Sequence, residues 1–131
     1  MEAYFDNAAT TAVFPEVKDL MVRLLEADYG NPSSLHMKGV EAENYIKTAR
    51  QQIAAEIKCQ DKEIVFTSGG TESNNLAIIG AALAHRRSGR HIITSNIEHA
   101  SVSATMDFLQ KEGFEVTQIG VDANGFFDLG M

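Results

Sequence analysis

The chain has 131 residues, 44% of them apolar and 22% charged, a balance typical of a folded globular domain rather than a disordered or fibrous chain. A formal net charge of -7, with no basic cluster beyond Arg86, Arg87 and Arg90, argues against nucleic acid as a partner. Cys59 is the single cysteine, which excludes a disulfide framework and a thiolate zinc cluster, and no apolar run is long enough to predict a membrane span.

The first half of the chain predicts two amphipathic helices. Residues 6–11 are small and polar, as in a turn or a segment that approaches a ligand closely. Pro15 suits a first helical position, and apolar residues recur at three- and four-residue spacing up to about Tyr29, before residues 30–34 end the helix. A second helix is predicted over 38–58, where one apolar stripe lies opposite charged residues. We expect both helices to be partly exposed.

The second half predicts alternating strands and helices. Short β-branched and aromatic runs predict three strands, at 64–66, 91–94 and 114–119. Helices are predicted between them at 71–83 and 101–112, and this order favours an α/β fold with mostly parallel pairing. The first of these helices is apolar on most sides, and we expect burial between a sheet and another layer. Asn124 and Gly125 indicate a turn, and Asp128 has the character of a helix N-cap.

A glycine turn stands between the first predicted strand and its following helix. Gly69, Gly70 and Thr71 would place unpaired backbone N–H groups at a helix N-terminus, where the helix dipole favours an anion such as phosphate. Glycines let the backbone approach closely, and the Thr71 hydroxyl can donate to a phosphate oxygen. The pattern is neither a Walker motif nor Gly-x-Gly-x-x-Gly. The same residues also fit a simple turn in which Thr71 or Ser68 is the N-cap, and local spacing leaves both alternatives open.

His99 follows the second predicted strand, at the carboxyl end, where α/β proteins place ligands. It is therefore a candidate site residue, and the alternative is an exposed loop histidine beside a helix start. His36, His85 and His91 have less local support. No pair of histidines has the helical ligand spacing of a metal site, so the sequence does not indicate one.

Four motifs occur together in the order and spacing of one enzyme family, at residues 6–11, 30–36, 66–77 and 97–99. On these motifs the chain resembles the NifS/IscS-type cysteine desulfurases, within the class V aminotransferases of pyridoxal 5'-phosphate (PLP) fold type I. The resemblance runs from about Ala3 to Leu129, and residues 67–75 are its most specific part. It implies an incomplete α/β/α large domain with a mostly parallel sheet, in which residues 1–14 belong to the small domain and 15–131 form the first part of the PLP-binding domain.

The resemblance also implies roles for individual residues. Gly70 and Thr71 match the positions that hold the cofactor phosphate, and His99 matches the histidine that stacks on the pyridine ring and shuttles protons during catalysis. Ala8 and Asn31 match segments that line the substrate end of the pocket. The implied reaction converts L-cysteine to L-alanine and an enzyme persulfide that supplies sulfur for iron–sulfur clusters. In the family a lysine holds PLP covalently, and a cysteine thiolate attacks the substrate sulfur.

Those two covalent groups are not matched in this sequence. None of the six lysines follows a histidine as the family's lysine does. Cys59 lacks a glycine- and serine-rich mobile loop, and we interpret it as structural or incidental. The chain is therefore expected to be a truncated segment of a desulfurase that is inactive alone. Two alternatives stay open: a stand-alone module that binds a phosphorylated ligand or a partner, and another class V PLP aminotransferase.

Partners and stability follow from the same resemblance. It implies a homodimer when complete and a sulfur-acceptor or scaffold protein as partner, with neither nucleic acid nor membrane involved. The N-terminus lacks the features of a signal peptide, and we expect a cytoplasmic protein. In the family's sheet, 64–66 would lie at one edge and 91–94 and 114–119 at the other, with absent strands between. We therefore expect an interrupted sheet, an uncovered helix over 71–83, and a chain that is poorly stable, self-associating or dependent on a full-length partner.

Overall fold

A computed structural model describes residues 3–127. The chain divides into two compact units, Met1–Val65 and Phe66–Met131. The first unit contains helices α1 (Pro15–Glu26) and α2 (Met37–Glu56) and a short 3₁₀ turn (Asp61–Glu63). The second contains α3 (Gly70–His85), β1 (His91–Ser95), α4 (Ala100–Lys111) and β2 (Glu115–Ile119). The division into a small-domain segment ending at residue 14 and a large domain starting at residue 15 stays a prediction.

The two helices of the first unit confirm the sequence prediction. Pro15 occupies the start of α1, and the helix ends at Glu26, three residues before the predicted limit. No residue of α1 is buried, and α2 buries only small residues, namely Gly39, Ala42 and Ala54. Both helices are thus largely exposed, as expected from their charged faces.

Side-chain hydrogen bonds connect the end of α1 to α2. The carboxylate Oδ2 of Asp28 accepts from Arg23 Nε at 2.8 Å and from Tyr45 Oη at 2.6 Å. The Tyr45 hydrogen bond is the largest cause of a lowered pKa at Asp28. Because Asp28 follows the last residue of α1 closely, these bonds fix how the chain leaves that helix.

The second unit is built around one parallel β-α-β crossover. β1 and β2 pair in parallel, in a register that runs from His91 opposite Glu115 to Ser95 opposite Ile119. The connecting helix α4 packs on β2 and on α3. It contributes most of the buried side chains of this unit, namely Ser101, Thr105, Met106 and Leu109. The predicted parallel pairing is confirmed.

The predicted strand over 64–66 is wrong. Ile64 has extended backbone angles, φ -87° and ψ 122°, but no β-strand forms there, and the sheet of the described residues consists of β1 and β2. A strand requires a neighbour whose N–H and C=O groups continue the hydrogen-bonded ladder. The short β-branched run therefore has strand propensity without the sheet neighbour that would make it a strand.

Helix α3 is the most apolar helix and still buries none of its residues. Its inner side faces β1, where Ile78, Ala82, Ile92 and Phe114 line one shallow cavity. The opposite side is open, and Leu76 is 53% exposed. The prediction that α3 is buried between two layers is wrong for the described residues, whereas the expectation of an uncovered apolar helix is confirmed.

The chain turns back after β2. Gly125 has a φ of 85°, and its N–H donates to the carbonyl of Asp122 at 3.0 Å, which confirms the turn predicted from Asn124 and Gly125. Val121 and Phe127 then form an isolated antiparallel bridge. The predicted N-cap at Asp128 lies outside the described residues. Within 3–127, no helix has both the length and the apolar character needed to cross a bilayer.

Candidate functional site

The glycine turn leads directly into α3. Gly69 is the N-cap and receives no side-chain capping bond, and the Ser73 N–H donates to the Gly69 carbonyl at 3.1 Å. No residue within 3–127 accepts a hydrogen bond from the N–H groups of Gly70, Thr71 or Glu72. Three backbone donors are therefore available at the positive end of a helix of 16 residues.

Neither Ser68 nor Thr71 caps this helix. The backbone N–H of Ser68 and its hydroxyl both donate to Glu72 Oε2, at 2.7 and 2.6 Å. Both hydrogen bonds lower the pKa of the Glu72 carboxyl, and the bond from the Ser68 hydroxyl has the larger effect. A third hydrogen bond joins the hydroxyls of Thr67 and Ser73 at 2.7 Å. The alternative with Thr71 or Ser68 as the N-cap is wrong, because Gly69 is the N-cap. The side-chain bonds of the turn leave the first N–H groups of α3 without an acceptor.

The space beside the turn is open. A Cβ atom added at Gly69 or Gly70 would meet nothing within 4 Å. Thr71 is exposed, and its hydroxyl makes no hydrogen bond to a residue of the described chain. Three N–H groups and one hydroxyl thus face a region that a tetrahedral anion can reach, and this donor set fits a phosphate ester.

His99 lies in the loop after β1, four residues beyond Ser95, and is the N-cap of α4. Its Nδ1 accepts the backbone N–H of Ser101 at 3.1 Å and lies 2.9 Å from the Ser101 hydroxyl. The loop before it is held by the buried Ser95, whose hydroxyl donates to Glu98 at 2.6 Å. The imidazole is anchored at Nδ1, and His99 as a residue is exposed, so part of the ring is open to a ligand.

Hydrogen bonds between α3 and α4 place His99 and the glycine turn in one framework. Asn74 Nδ2 donates to the Ser101 hydroxyl at 2.8 Å, two residues from His99. The Thr105 hydroxyl donates to Asn75 Oδ1 at 2.9 Å, and Asn75 Nδ2 donates back to the carbonyl of Thr71 at 2.8 Å. The predicted residues Gly70, Thr71 and His99 therefore lie at the N-terminal ends of two helices that are in contact and joined by these hydrogen bonds.

Sequence reasoning missed the residues that make this framework, namely Asn74, Asn75, Ser101 and Thr105. The one available signal is the pair of adjacent amides in a helix that is otherwise strongly apolar after its first turn. Such a pair predicts polar partners, because amides on a helix face that packs against a neighbour need hydrogen bonds. The partners themselves lie 27 and 30 residues further along the chain, beyond any local pattern.

The predicted substrate residues Ala8 and Asn31 lie in the first unit. Ala8 belongs to a turn in which the Ala9 N–H donates to the Asp6 carbonyl at 3.1 Å. Asn31 Oδ1 accepts the Ser33 N–H at 2.9 Å, so this atom is used by its own loop. The substrate roles of both residues stay predictions.

Glycine at position 39 lets the Asn31 loop pack closely on α2. A Cβ added there would lie 2.1 Å from the Ser34 carbonyl oxygen and 2.8 Å from that of Asn31. His36 also holds the loop end, because its Nδ1 accepts the Gly39 N–H at 3.4 Å as the N-cap of α2. The backbone of the Asn31 loop therefore lies directly against α2 at Gly39.

The single cysteine has simple surroundings. Cys59 is partly exposed, and its thiol donates to the neighbouring Gln60 carbonyl at 3.5 Å. Across the part of the chain that the structure describes, no group of three or more His, Cys, Asp or Glu side chains is arranged to hold a metal ion.

The aminotransferase class-V family profile matches residues 3–131, and the chain belongs to this family. The cysteine desulfurase IscS of Dictyoglomus turgidum is 50% identical over 127 residues, which are 97% of this chain and 32% of that protein. The cysteine desulfurase IscS of Neisseria meningitidis is also 50% identical over 127 residues, 96% of this chain and 31% of that protein. The resemblance read from the motifs is confirmed.

Solved structures place the fold in the same group. A NifS-like protein matches with a TM-score of 0.85 and 39% identity, covering 99% of this chain and 36% of that one. SspA in complex with cysteine matches with a TM-score of 0.78 and 44% identity, covering 88% of this chain and 33% of that one. The chain therefore has part of the PLP fold type I architecture, and it spans about a third of the length of the relatives it matches.

Proposed function

We propose that this chain forms the phosphate- and ring-binding part of a PLP-dependent cysteine desulfurase, which converts L-cysteine to L-alanine and an enzyme persulfide that supplies iron–sulfur clusters. One observation carries the proposal. Three unpaired N–H groups at the start of α3, at Gly70, Thr71 and Glu72, face open space in the same hydrogen-bonded framework as the exposed His99. Membership of the class-V family supports PLP as the ligand of that donor set.

Gly70 and Thr71 would hold the phosphate of the cofactor. The N–H groups of both residues and of Glu72 point out of the helix end, where the helix dipole favours negative charge. The Thr71 hydroxyl adds a charge-assisted bond. When bound, PLP supplies an electron sink for carbanion chemistry. The protein's contribution here is to fix the position of the phosphate, and thereby of the rest of the cofactor.

His99 would meet the pyridine ring. An imidazole held at one nitrogen keeps a fixed plane, which suits stacking on a second aromatic ring. Imidazole also exchanges protons readily near neutral pH, which suits the proton transfers that a desulfurase needs. We assign His99 both tasks, ring contact and proton transfer, as a catalytic residue.

Several parts of the proposal concern the whole protein. We propose L-cysteine as substrate, which the cysteine-bound SspA relative at 44% identity supports. Ala8 and Asn31 would line the substrate end of the pocket, with residues 1–14 contributing to a small domain. A homodimer, a sulfur-acceptor or scaffold protein as partner and a cytoplasmic location complete the proposal.

Pyridoxine 5'-phosphate and pyridoxine are the probes that test the site, because neither carries the aldehyde that would react with the six lysines. We expect the phosphorylated probe to shift the amide NMR resonances of Gly70, Thr71 and Glu72, together with the ring resonances of His99. Thr71→Ala should weaken its binding by about 1.5–3 kcal/mol, or roughly ten- to a hundredfold in Kd, through loss of one charge-assisted hydrogen bond. Thr71→Ser keeps a hydroxyl and should bind as the parent does.

Pyridoxine and inorganic phosphate serve as controls. Binding of pyridoxine should not change in Thr71→Ala, because it has no phosphate to lose. Inorganic phosphate should shift the amide resonances of the glycine turn but leave the ring resonances of His99 unchanged. If inorganic phosphate bound as tightly as pyridoxine phosphate, the stand-alone phosphate-binding module would be favoured over the enzyme. The assignment of the turn as the phosphate site would be wrong if Thr71→Ala weakened the binding of pyridoxine phosphate and of pyridoxine equally, or weakened neither.

A further inference from the structure

One ring nitrogen of His99, Nδ1, has two hydrogen-bonding neighbours, and both belong to Ser101. Nδ1 lies 3.1 Å from the Ser101 backbone nitrogen and 2.9 Å from the Ser101 hydroxyl oxygen. A backbone N–H can only donate, so Nδ1 must offer its lone pair toward Ser101. In the neutral ring the proton then resides on the other nitrogen, Nε2.

The Ser101 hydroxyl has its own orientation fixed from the other side. Asn74 Nδ2 donates to the Ser101 oxygen at 2.8 Å across the α3–α4 contact. An amide nitrogen cannot accept, so the hydroxyl proton of Ser101 is left for its other neighbour, His99 Nδ1. Ser101 is buried, which removes water as a competing partner. Asn74 therefore donates a hydrogen bond to the Ser101 hydroxyl, which in turn donates one to His99.

We propose that Asn74 and Ser101 are positioning residues for His99, which hold its ring as the Nε2–H tautomer and leave Nε2 as the nitrogen that exchanges protons. This proposal rests on the catalytic role assigned to His99 above, but the tautomer itself is a property of the chain without any ligand. Ser101 contacts the ring from the α4 side, and Asn74 acts through Ser101 from the α3 side.

The arrangement connects the two halves of the proposed site. Asn74 lies one turn after Thr71 in α3, so the helix whose N-terminus holds the phosphate also orients the histidine. Movement of α3 against α4 would change both together. A residue that merely capped α4 would not need Asn74, because the Ser101 N–H bond to Nδ1 supplies the cap without it.

The test is nitrogen NMR of the His99 ring in the ligand-free chain, recorded at alkaline pH. In the parent chain we expect Nδ1 to resonate as an unprotonated nitrogen and Nε2 as a protonated one. In Asn74→Asp a carboxylate replaces the amide and accepts a hydrogen bond from the Ser101 hydroxyl. The Ser101 oxygen then presents a lone pair to Nδ1 in competition with the Ser101 backbone N–H, and we expect a several-fold gain of the minor Nδ1–H tautomer.

Two further variants separate positioning from packing. Ser101→Ala removes the hydroxyl but keeps the backbone N–H bond, so we expect the Nε2–H tautomer to persist with a less ordered ring. Asn75→Asp is the matched control, because it places the same charge one residue further along α3, where the side chain bonds Thr105 and Thr71 but neither Ser101 nor His99. It should leave the tautomer as in the parent.

The proposal is wrong if Nδ1 carries the proton in the parent chain, a result that needs no variant to fold. It is also wrong if Asn74→Asp leaves the tautomer unchanged, or if Asn75→Asp moves it as far as Asn74→Asp does. None of these measurements includes a cofactor. Failure of the pyridoxine phosphate experiment with a correct tautomer would therefore reject the proposed function alone.

Discussion

Helices α3 and α4 differ in burial in a way their compositions do not predict. α4 carries four buried residues and closes the crossover between β1 and β2. α3 is more apolar and has none, although it packs on α4 and faces β1. The difference teaches that burial is decided by what surrounds a helix. α4 lies against both the sheet and α3, whereas α3 has one covered side and one open side.

The open side of α3 affects stability and function differently. Exposed apolar residues such as Leu76 and Leu83 lose the stabilisation that a covering layer would add. The polar N-terminal turn of the same helix gains from exposure, because its unpaired N–H groups must meet a ligand. The site therefore depends on the covered side of α3, where Asn74 and Asn75 bond to α4.

The largest expected effect that separates the two helices comes from truncating a leucine on each. Leu109 on α4 has 0% exposure, and Leu109→Ala should destabilise the second unit by about 2–5 kcal/mol because it leaves a cavity. The matched control Leu76→Ala on α3, at 53% exposure, should change stability by no more than about 0.5 kcal/mol. Chemical denaturation of the two variants beside the parent measures both. Equal losses would mean that α3 is covered in solution.

A smaller effect is expected at the start of α3, from the pH dependence of the Glu72 bonds. Hydrogen bonds from the Ser68 hydroxyl and backbone N–H lower the pKa of Glu72 below its ordinary value of 4.5. Because the folded pKa is the lower one, the stabilisation is complete above the unfolded pKa and is lost as pH falls through the folded pKa.

We therefore expect the Ser68 amide to remain protected from hydrogen exchange down to about pH 4.5 and to lose protection as the pH falls further. Glu72→Gln keeps an acceptor of similar shape without the titration, so its Ser68 amide should show no such transition. A transition of equal size in the variant would assign the pH dependence to another group.

Local patterns were sufficient to predict most elements of this fold. All four helices, β1, β2 and the turn at Gly125 follow from periodicity, a proline start or a glycine turn, and their predicted bounds agree with the structure to within a few residues. These signals are local, and their conformations depend mainly on neighbouring residues. The glycine turn and His99 were found as candidates for the same reason.

Features that depend on distant residues were not predictable. The run at 64–66 has strand composition, but strand formation requires a neighbour that composition does not supply. The burial of α3 depends on a covering layer, which its own apolar pattern cannot show. The bond from Asn74 to Ser101 joins residues 27 apart, and it depends on α3 and α4 lying side by side.

Residue-resolved hydrogen exchange of the 131-residue chain, with its solution size measured on the same sample, tests most directly the claim that the second unit is closed on α4 and open on α3. We expect the strongest protection in α4, β1 and β2, weaker protection in α3, little at 64–66, and self-association through the open apolar face. A monomer with a cooperative transition, in which α3 and residues 64–66 are protected as strongly as α4, would contradict the claim and favour a module that completes its own core.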